Sequence, residues 1–126
     1  MKFFNKGKQA LFAKGRLKTG EMNKTEAKYA EHLKQLQQNG DICWWKFESI
    51  KLRLADNCFY TPDFFVMLND GTMEMHEVKG AKIIFQDDAK VKVKVAAETF
   101  PFVFKVVYPN KQKQASNGNG WEIVEY

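Results

Sequence analysis

The sequence predicts an α/β domain, a mixed sheet of four or five strands flanked by helices. Three observations predict it. Residues 23–40, "NKTEAKYAEHLKQLQQNG", combine helical periodicity with start and stop signals. Residues 60–80, "YTPDFFVMLNDGTMEMHEVKG", hold the apolar runs and the turn of a hairpin. Residues 85–108 set a helical stripe before a β-branched run, which is the connection that parallel strands need.

The elements follow in order. Residues 1–20 hold three Gly and scattered cations, and read as an arm with at most one helical turn near Gln9 to Lys14. Residues 21–126 read as a single domain. Asn23 caps the first helix, with Glu26 as its capping-box partner three residues on. Tyr29, Leu33 and Leu36 form the apolar stripe, and Gly40 is the stop. "DICWWKFESIKLRL" holds one or two strands, and "ADN" turns the chain. "FYTPDFFVML" reads as a strand that starts at Pro62, apolar on both faces from Phe64 and therefore interior. "NDG" turns it into "TMEMHEVKG". In "DDAKVKVKVAAETF" valines alternate with lysines, a strand pattern. But Phe85, Ala89, Val93, Ala96 and Phe100 make a helical stripe, and Asp87 and Asp88 suit a helix start. A helix is therefore expected. "FVFKVVY" is a strand, "NKQKQASNGNG" a loop and "WEIVEY" a last, edge strand.

Composition narrows the function classes. With 44% hydrophobic residues and eleven Phe, the 126-residue chain has enough apolar material for a core. No apolar run nears the roughly 18 residues of a membrane helix, and no secretory signal is visible. A cytoplasmic protein is expected. Cys43 and Cys58 are too few for a disulfide framework and lack metal-ligand spacing with the histidines. Net charge is +5, and residues 1–20 carry six cations and no acid. A basic arm on a near-neutral body points to a polyanion, with nucleic acid the usual one.

The hairpin poses the chemical question, because Asp63, Glu77 and Lys79 stand among its apolar residues. A two-residue loop at Asp70 and Gly71 would put Asp63 and Glu77 on opposite faces. A three-residue loop of Asn69, Asp70 and Gly71 pairs Leu68 with Thr72, and so sets Asp63 opposite Glu77. The second register explains the acids as a set. Two carboxylates about 5 Å apart repel by roughly 3 kcal/mol at an effective dielectric near 20. Lys79 offsets part of that, and a divalent cation would offset more. Mg²⁺ is typically held by one or two carboxylates and keeps waters for substrate phosphates. Such a site beside a lysine suits phosphodiester hydrolysis. Glu26 is a third candidate acid, one turn before Tyr29 and Ala30, and equally a capping residue.

Pro62 and Asp63, thirteen intervening residues, then Glu77, Val78 and Lys79 resemble the PD-(D/E)XK nuclease signature. The expected helix–strands–helix–strand sequence matches the α-β-β-β-α-β order of that core, over roughly Met22 to Tyr108. "MNKTEAKYAEHL", "YTPDFFV", "HEVKG" and "VKVKVAAETFPF" look like small phage-encoded endonucleases of the Holliday-junction-resolvase type. The resemblance implies a restriction-endonuclease-like core and a Mg²⁺-dependent DNA endonuclease, with Mn²⁺ as substitute. It acts on a four-way junction or other branched DNA in phage recombination or processing. It also implies that Asp63, Glu77 and the Val78 carbonyl ligate the metal, and that Lys79 orients the attacking water. Glu26 matches the acid that many members use for a second metal or through water.

Lys14, Arg16, Lys18, Lys24, Lys90, Lys92 and Lys94 are the residues expected at DNA, the last three as a helix flank near the motif. Lys51 and Arg53 share a strand face that can meet backbone, and Trp44 and Trp45 can stack on bases. His76 is expected to pack on the face away from Glu77, and His32 to lie on the helix surface. Symmetric two-strand cutting favours a homodimer. The rival readings are a non-catalytic nucleic-acid-binding module of the same fold and an interaction protein whose arm binds an acidic partner.

Overall fold

A computed structural model describes residues 20–110 and 120–126. Lys14, Arg16, Lys18, the turn near Gln9 to Lys14 and most of the loop before Trp121 lie outside the described residues.

The architecture is α/β, with a mixed five-stranded sheet between two helices. Helix α1 (Lys24–Gln38) begins as the sequence expects. The Asn23 side chain accepts the Glu26 N–H, and the Glu26 side chain accepts the Asn23 N–H. Gly40, at φ +83°, ends it. Strand β1 (Trp44–Phe47) lies at one edge of the main sheet. Strands β2 (Leu52–Ala55) and β3 (Cys58–Tyr60) leave that sheet and pair only with each other. Then come β4 (Phe64–Met67) and β5 (Met73–Val78), a 3₁₀ turn at Lys82–Ile84, helix α2 (Asp87–Thr99), β6 (Val103–Pro109) and β7 (Trp121–Glu125). The sheet order is β1-β4-β5-β6-β7. Among the described residues only the β5–β6 pair is parallel, and α2 is its crossover.

The valine–lysine segment is a helix. Val93 and Ala96 are buried, with Phe85, Ala89 and Phe100 in the same cluster. Alternation lost to the wider stripe because only a helix lets the chain cross back to a parallel strand. The strand expected from Pro62 begins just after it, at Phe64, and Phe59 and Tyr60 before it form part of a separate strand, β3. Pro62, fully buried, has no N–H for a ladder, so the chain breaks there and β3 and β4 belong to different sheets.

The sheet separates two cores. On one face Tyr29, Ala30 and Leu33 of α1 meet Phe64, Val66, Val78 and Val107. On the other face α2 and the β2–β3 hairpin cover Met75, Phe104 and Val106.

Candidate active site

The turn fixes the site. Leu68 N–H bonds to the Thr72 carbonyl at 2.9 Å, Gly71 N–H to the Leu68 carbonyl at 3.0 Å, and the Asp70 carboxylate accepts Thr72 N–H at 2.9 Å. Gly71 takes φ +89°, which glycine adopts at little cost. The turn therefore spans three residues, and Phe64 pairs with His76 and Phe65 with Met75. The same register sets Asp63 beside Glu77 at the end of β4, and period-two alternation puts both on the α2 face.

Asp63 Oδ2 accepts the Val78 N–H at 2.8 Å. Glu77, 8% exposed, accepts Tyr60 O–H on Oε1 at 2.7 Å and faces the Lys79 ammonium on Oε2 at 3.3 Å. Burial, then the Glu77 and Glu26 charges, push the Asp63 carboxyl up to about 8, against the Val78 hydrogen bond and Lys79. Burial also raises Glu77, and neither Lys79 nor Tyr60 fully offsets it. Fully ionised, the pair would hold more negative charge than one lysine neutralises, and the raised carboxyls keep a proton there instead. It sits at the carboxyl end of β5, one of the two parallel strands, a usual place for ligands in α/β sheets.

Glu26 is half-buried in the first turn of α1. Its carboxylate stays on the Asn23 cap, yet its charge reaches both Asp63 and Glu77. Among the described residues no three His, Cys, Asp or Glu side chains are gathered into a metal-binding group. The site is a carboxylate pair with a third acid near it, and does not close as a three-acid set.

Next to Glu77 opens a cleft of about 510 Å³, with Tyr60, Thr61, Glu48 and Lys92 on its walls. Lys90 and Lys94 are not among its lining residues, so the expected three-lysine flank divides. Residues two apart on a helix lie about 200° apart. Lys24 is exposed at the start of α1. Trp44 is 38% exposed, while Trp45 packs partly into the α1-side core.

Sequence reasoning missed two residues here. In a continuous strand Tyr60 would face away from Asp63. The break at Pro62 frees it to reach Glu77, and that break was the available signal. Glu48 had none. It takes φ +47°, a left-handed conformation that costs a non-glycine residue about 1–2 kcal/mol. Its N–H bonds to the Asp63 carbonyl at 2.8 Å, and its Oε1 accepts Gly20 N–H at 3.0 Å. Gly20, the first described residue, thus lies against Glu48 on the cleft wall.

A second polar cluster lies on the α1 face. His76 is not merely packed there. Tyr29 Oη lies 2.6 Å from His76 Nδ1, His76 Nε2 lies 2.8 Å from Glu74 Oε1, and Lys105 Nζ lies 2.9 Å from Glu74 Oε2. Burial raises Glu74, but the bonds from His76 and Lys105 outweigh it and keep the carboxyl below its ordinary range. Burial lowers His76 and raises Tyr29. A neutral imidazole between a carboxylate and a phenol must donate from Nε2 and accept at Nδ1, so every group is satisfied. His32, expected on the surface, is half-buried with its ring 5.6 Å from Tyr29 and 6.3 Å from Trp121.

Comparison with known proteins adds no relative: no family model, no curated protein and no solved structure matches the chain.

Proposed function

We propose that the chain is a metal-dependent DNA endonuclease of the PD-(D/E)XK type, acting on branched or junction DNA. One observation carries the reading. Asp63 and Glu77 meet on one sheet face at a cleft, with Lys79 3.3 Å from Glu77. A protein with only a fold to maintain has no use for two half-neutralised carboxylates there.

The residues fit a hard divalent cation. Two carboxylates and the neighbouring Val78 carbonyl are all oxygen donors, which suits Mg²⁺, with Mn²⁺ as substitute, rather than a thiophilic metal. Burial first, and then the Glu77 and Glu26 charges, raise the Asp63 carboxyl, and a cation beside it would favour the ionised form. When bound, Mg²⁺ supplies positive charge where the phosphate accumulates negative charge.

The chain's own groups do the rest. Tyr60 and Lys79 fix the two Glu77 oxygens, and the Val78 N–H fixes Asp63. The Lys79 ammonium orients a water and donates to the phosphate oxygens. Water attacks phosphorus, one P–O ester bond breaks, and a phosphate monoester and an alcohol result. Lys92 on the cleft wall meets flanking backbone.

Labelled four-way junction, flap, duplex and single strand, incubated with Mg²⁺, Mn²⁺ or EDTA, test this. Cleavage should need metal. Asp63→Asn, Glu77→Gln and Lys79→Ala should each lose most of it while remaining folded, and Lys79→Ala should keep more metal affinity than Asp63→Asn. Wild-type rates in all three variants would end the nuclease reading. Junction binding with no cutting by any metal would favour a non-catalytic binding module.

A further inference from the structure

The β2–β3 hairpin stands apart from the main sheet and beside the candidate active site. Leu52 and Tyr60 face inward, 4% and 8% exposed, and anchor it to the α2-side core. Alternation then turns Phe59 outward, and it is 39% exposed. Phe59 lines the same cleft as Glu77. The Lys51 ammonium sits 4.6 Å from the ring centroid. Lys51 in turn lines an adjoining cleft of about 360 Å³, and Glu48 and Thr61 belong to both clefts. One trough therefore runs from Glu77 past Thr61 and Phe59 to Lys51.

We propose that Phe59 is a stacking platform for an unpaired base next to the scissile phosphate, and that Lys51 holds the phosphate of that nucleotide. This rests on the nuclease reading of the Glu77 end of the trough. A ring with a cation above it already offers an accessible π-face, and a base can take the cation's place at little cost. Lys51 then has a phosphate within reach in place of the ring. In duplex DNA each base face is covered by its neighbour, so Phe59 can engage only a base that is unpaired or turned out. That cost is least where the strand is already open. The substrate class is thus DNA with an open nucleotide at the cut: a flap, a strand boundary or the centre of a junction. Phe59 acts as a specificity residue and takes no part in bond breaking.

The test places 2-aminopurine at successive positions across a single-strand/double-strand boundary. Full-length protein is added with Ca²⁺ in place of Mg²⁺, and cleavage is measured separately in Mg²⁺. Wild type should quench the probe at one or two adjacent positions. Phe59→Leu should abolish the quenching and weaken binding of the open substrate about 5- to 150-fold. Phe59→Trp should keep both. Phe59→Leu should also lose the cleavage preference for open over duplex substrate, with the duplex rate unchanged. Unchanged thermal melting of Phe59→Leu checks the fold, which an exposed position should preserve. Wild-type quenching and preference in Phe59→Leu would overturn the proposal and leave the nuclease reading intact, as would equal wild-type cutting of duplex and open DNA. Phe59-dependent quenching in a protein that never cuts would support the platform and end the nuclease reading.

Discussion

Asp63→Asn in metal-free protein isolates the charge that the fold tolerates. Asparagine keeps the shape and can still accept the Val78 N–H, now 2.8 Å from Oδ2. It removes only the ionisation. The folded carboxyl lies near 8 against an ordinary 3.8. Between those values the folded state binds more protons than the unfolded state, so wild-type stability falls as pH rises through that window. The full shift corresponds to a ceiling of about 5–6 kcal/mol. Glu77 shares the titration and is relieved when Asp63 loses its charge. The difference between variant and wild type should therefore grow by roughly 2–4 kcal/mol from pH 5 to pH 9. His76 has the opposite sign. Its lowered value makes stability rise with pH up to about 6.5, and that contribution is common to both proteins and cancels. Urea unfolding in EDTA across pH 4.5–9 measures the curves. Asp63→Asn should be the flatter curve and the more stable protein at pH 9. Saturating Mg²⁺ should close most of that gap, since binding at 100 times Kd adds about 2.7 kcal/mol to wild type alone. Parallel curves in EDTA would refute the claim that Asp63 is a buried, uncompensated carboxyl.

Three further outcomes follow from the same contacts. Tyr60→Phe removes the donor 2.7 Å from Glu77 Oε1, so Glu77 should hold its proton to higher pH, and the acid limb of the kcat/KM profile should move up. Glu26→Ala should lower stability by about 1 kcal/mol through the lost cap, whereas Glu26→Gln, which can still accept the Asn23 N–H, should melt like wild type but bind Mg²⁺ more weakly by calorimetry. Lys105→Met leaves Glu74, 5% exposed, with only His76; because Lys105 is itself partly exposed, denaturant unfolding at pH 7 should show a loss nearer 2 than 5 kcal/mol.

The sequence made the Asp63–Glu77 hairpin legible because its turn is local. Three residues, Asn69 to Gly71, set the register, and register alone decides that Asp63 and Glu77 share a face. Helix α2 was legible for a different reason: Phe85, Ala89, Val93, Ala96 and Phe100 outvote the valine–lysine alternation over sixteen residues. What stayed hidden is non-local. Glu74 and Lys105 are 31 residues apart and meet through the parallel β5–β6 register, which no local signal encodes. The separate β2–β3 sheet follows from the break at buried Pro62, and with it Tyr60 and Phe59 reach the cleft. Glu48 acquires its position from a strained left-handed backbone, and strain of that kind leaves no compositional trace.

Strand β5 sets two solutions to buried charge side by side. On the α1 face, Glu74 and His76 close a network with Lys105 and Tyr29 in which each donor meets an acceptor. There the acid is held ionised by its partners and the imidazole is neutral, so the face balances without help. On the α2 face, one residue further along, Glu77 joins Asp63 and feels Glu26, with Lys79 as the near cation. The same strand, at the same depth, is balanced by its partners on one side, and on the other only by a carboxyl that holds its proton. Folding requirements alone would select the first arrangement twice, because an unbalanced buried carboxylate costs stability and contributes none. The imbalance lies beside a cleft whose walls add Glu48 and Asp88 against Lys92. With both carboxylates ionised, such a cleft would disfavour a bare phosphate and favour a divalent cation. On the proposed reading DNA would follow the cation into the trough, with the acidic end at Glu77 separate from the cationic and aromatic end at Lys51 and Phe59.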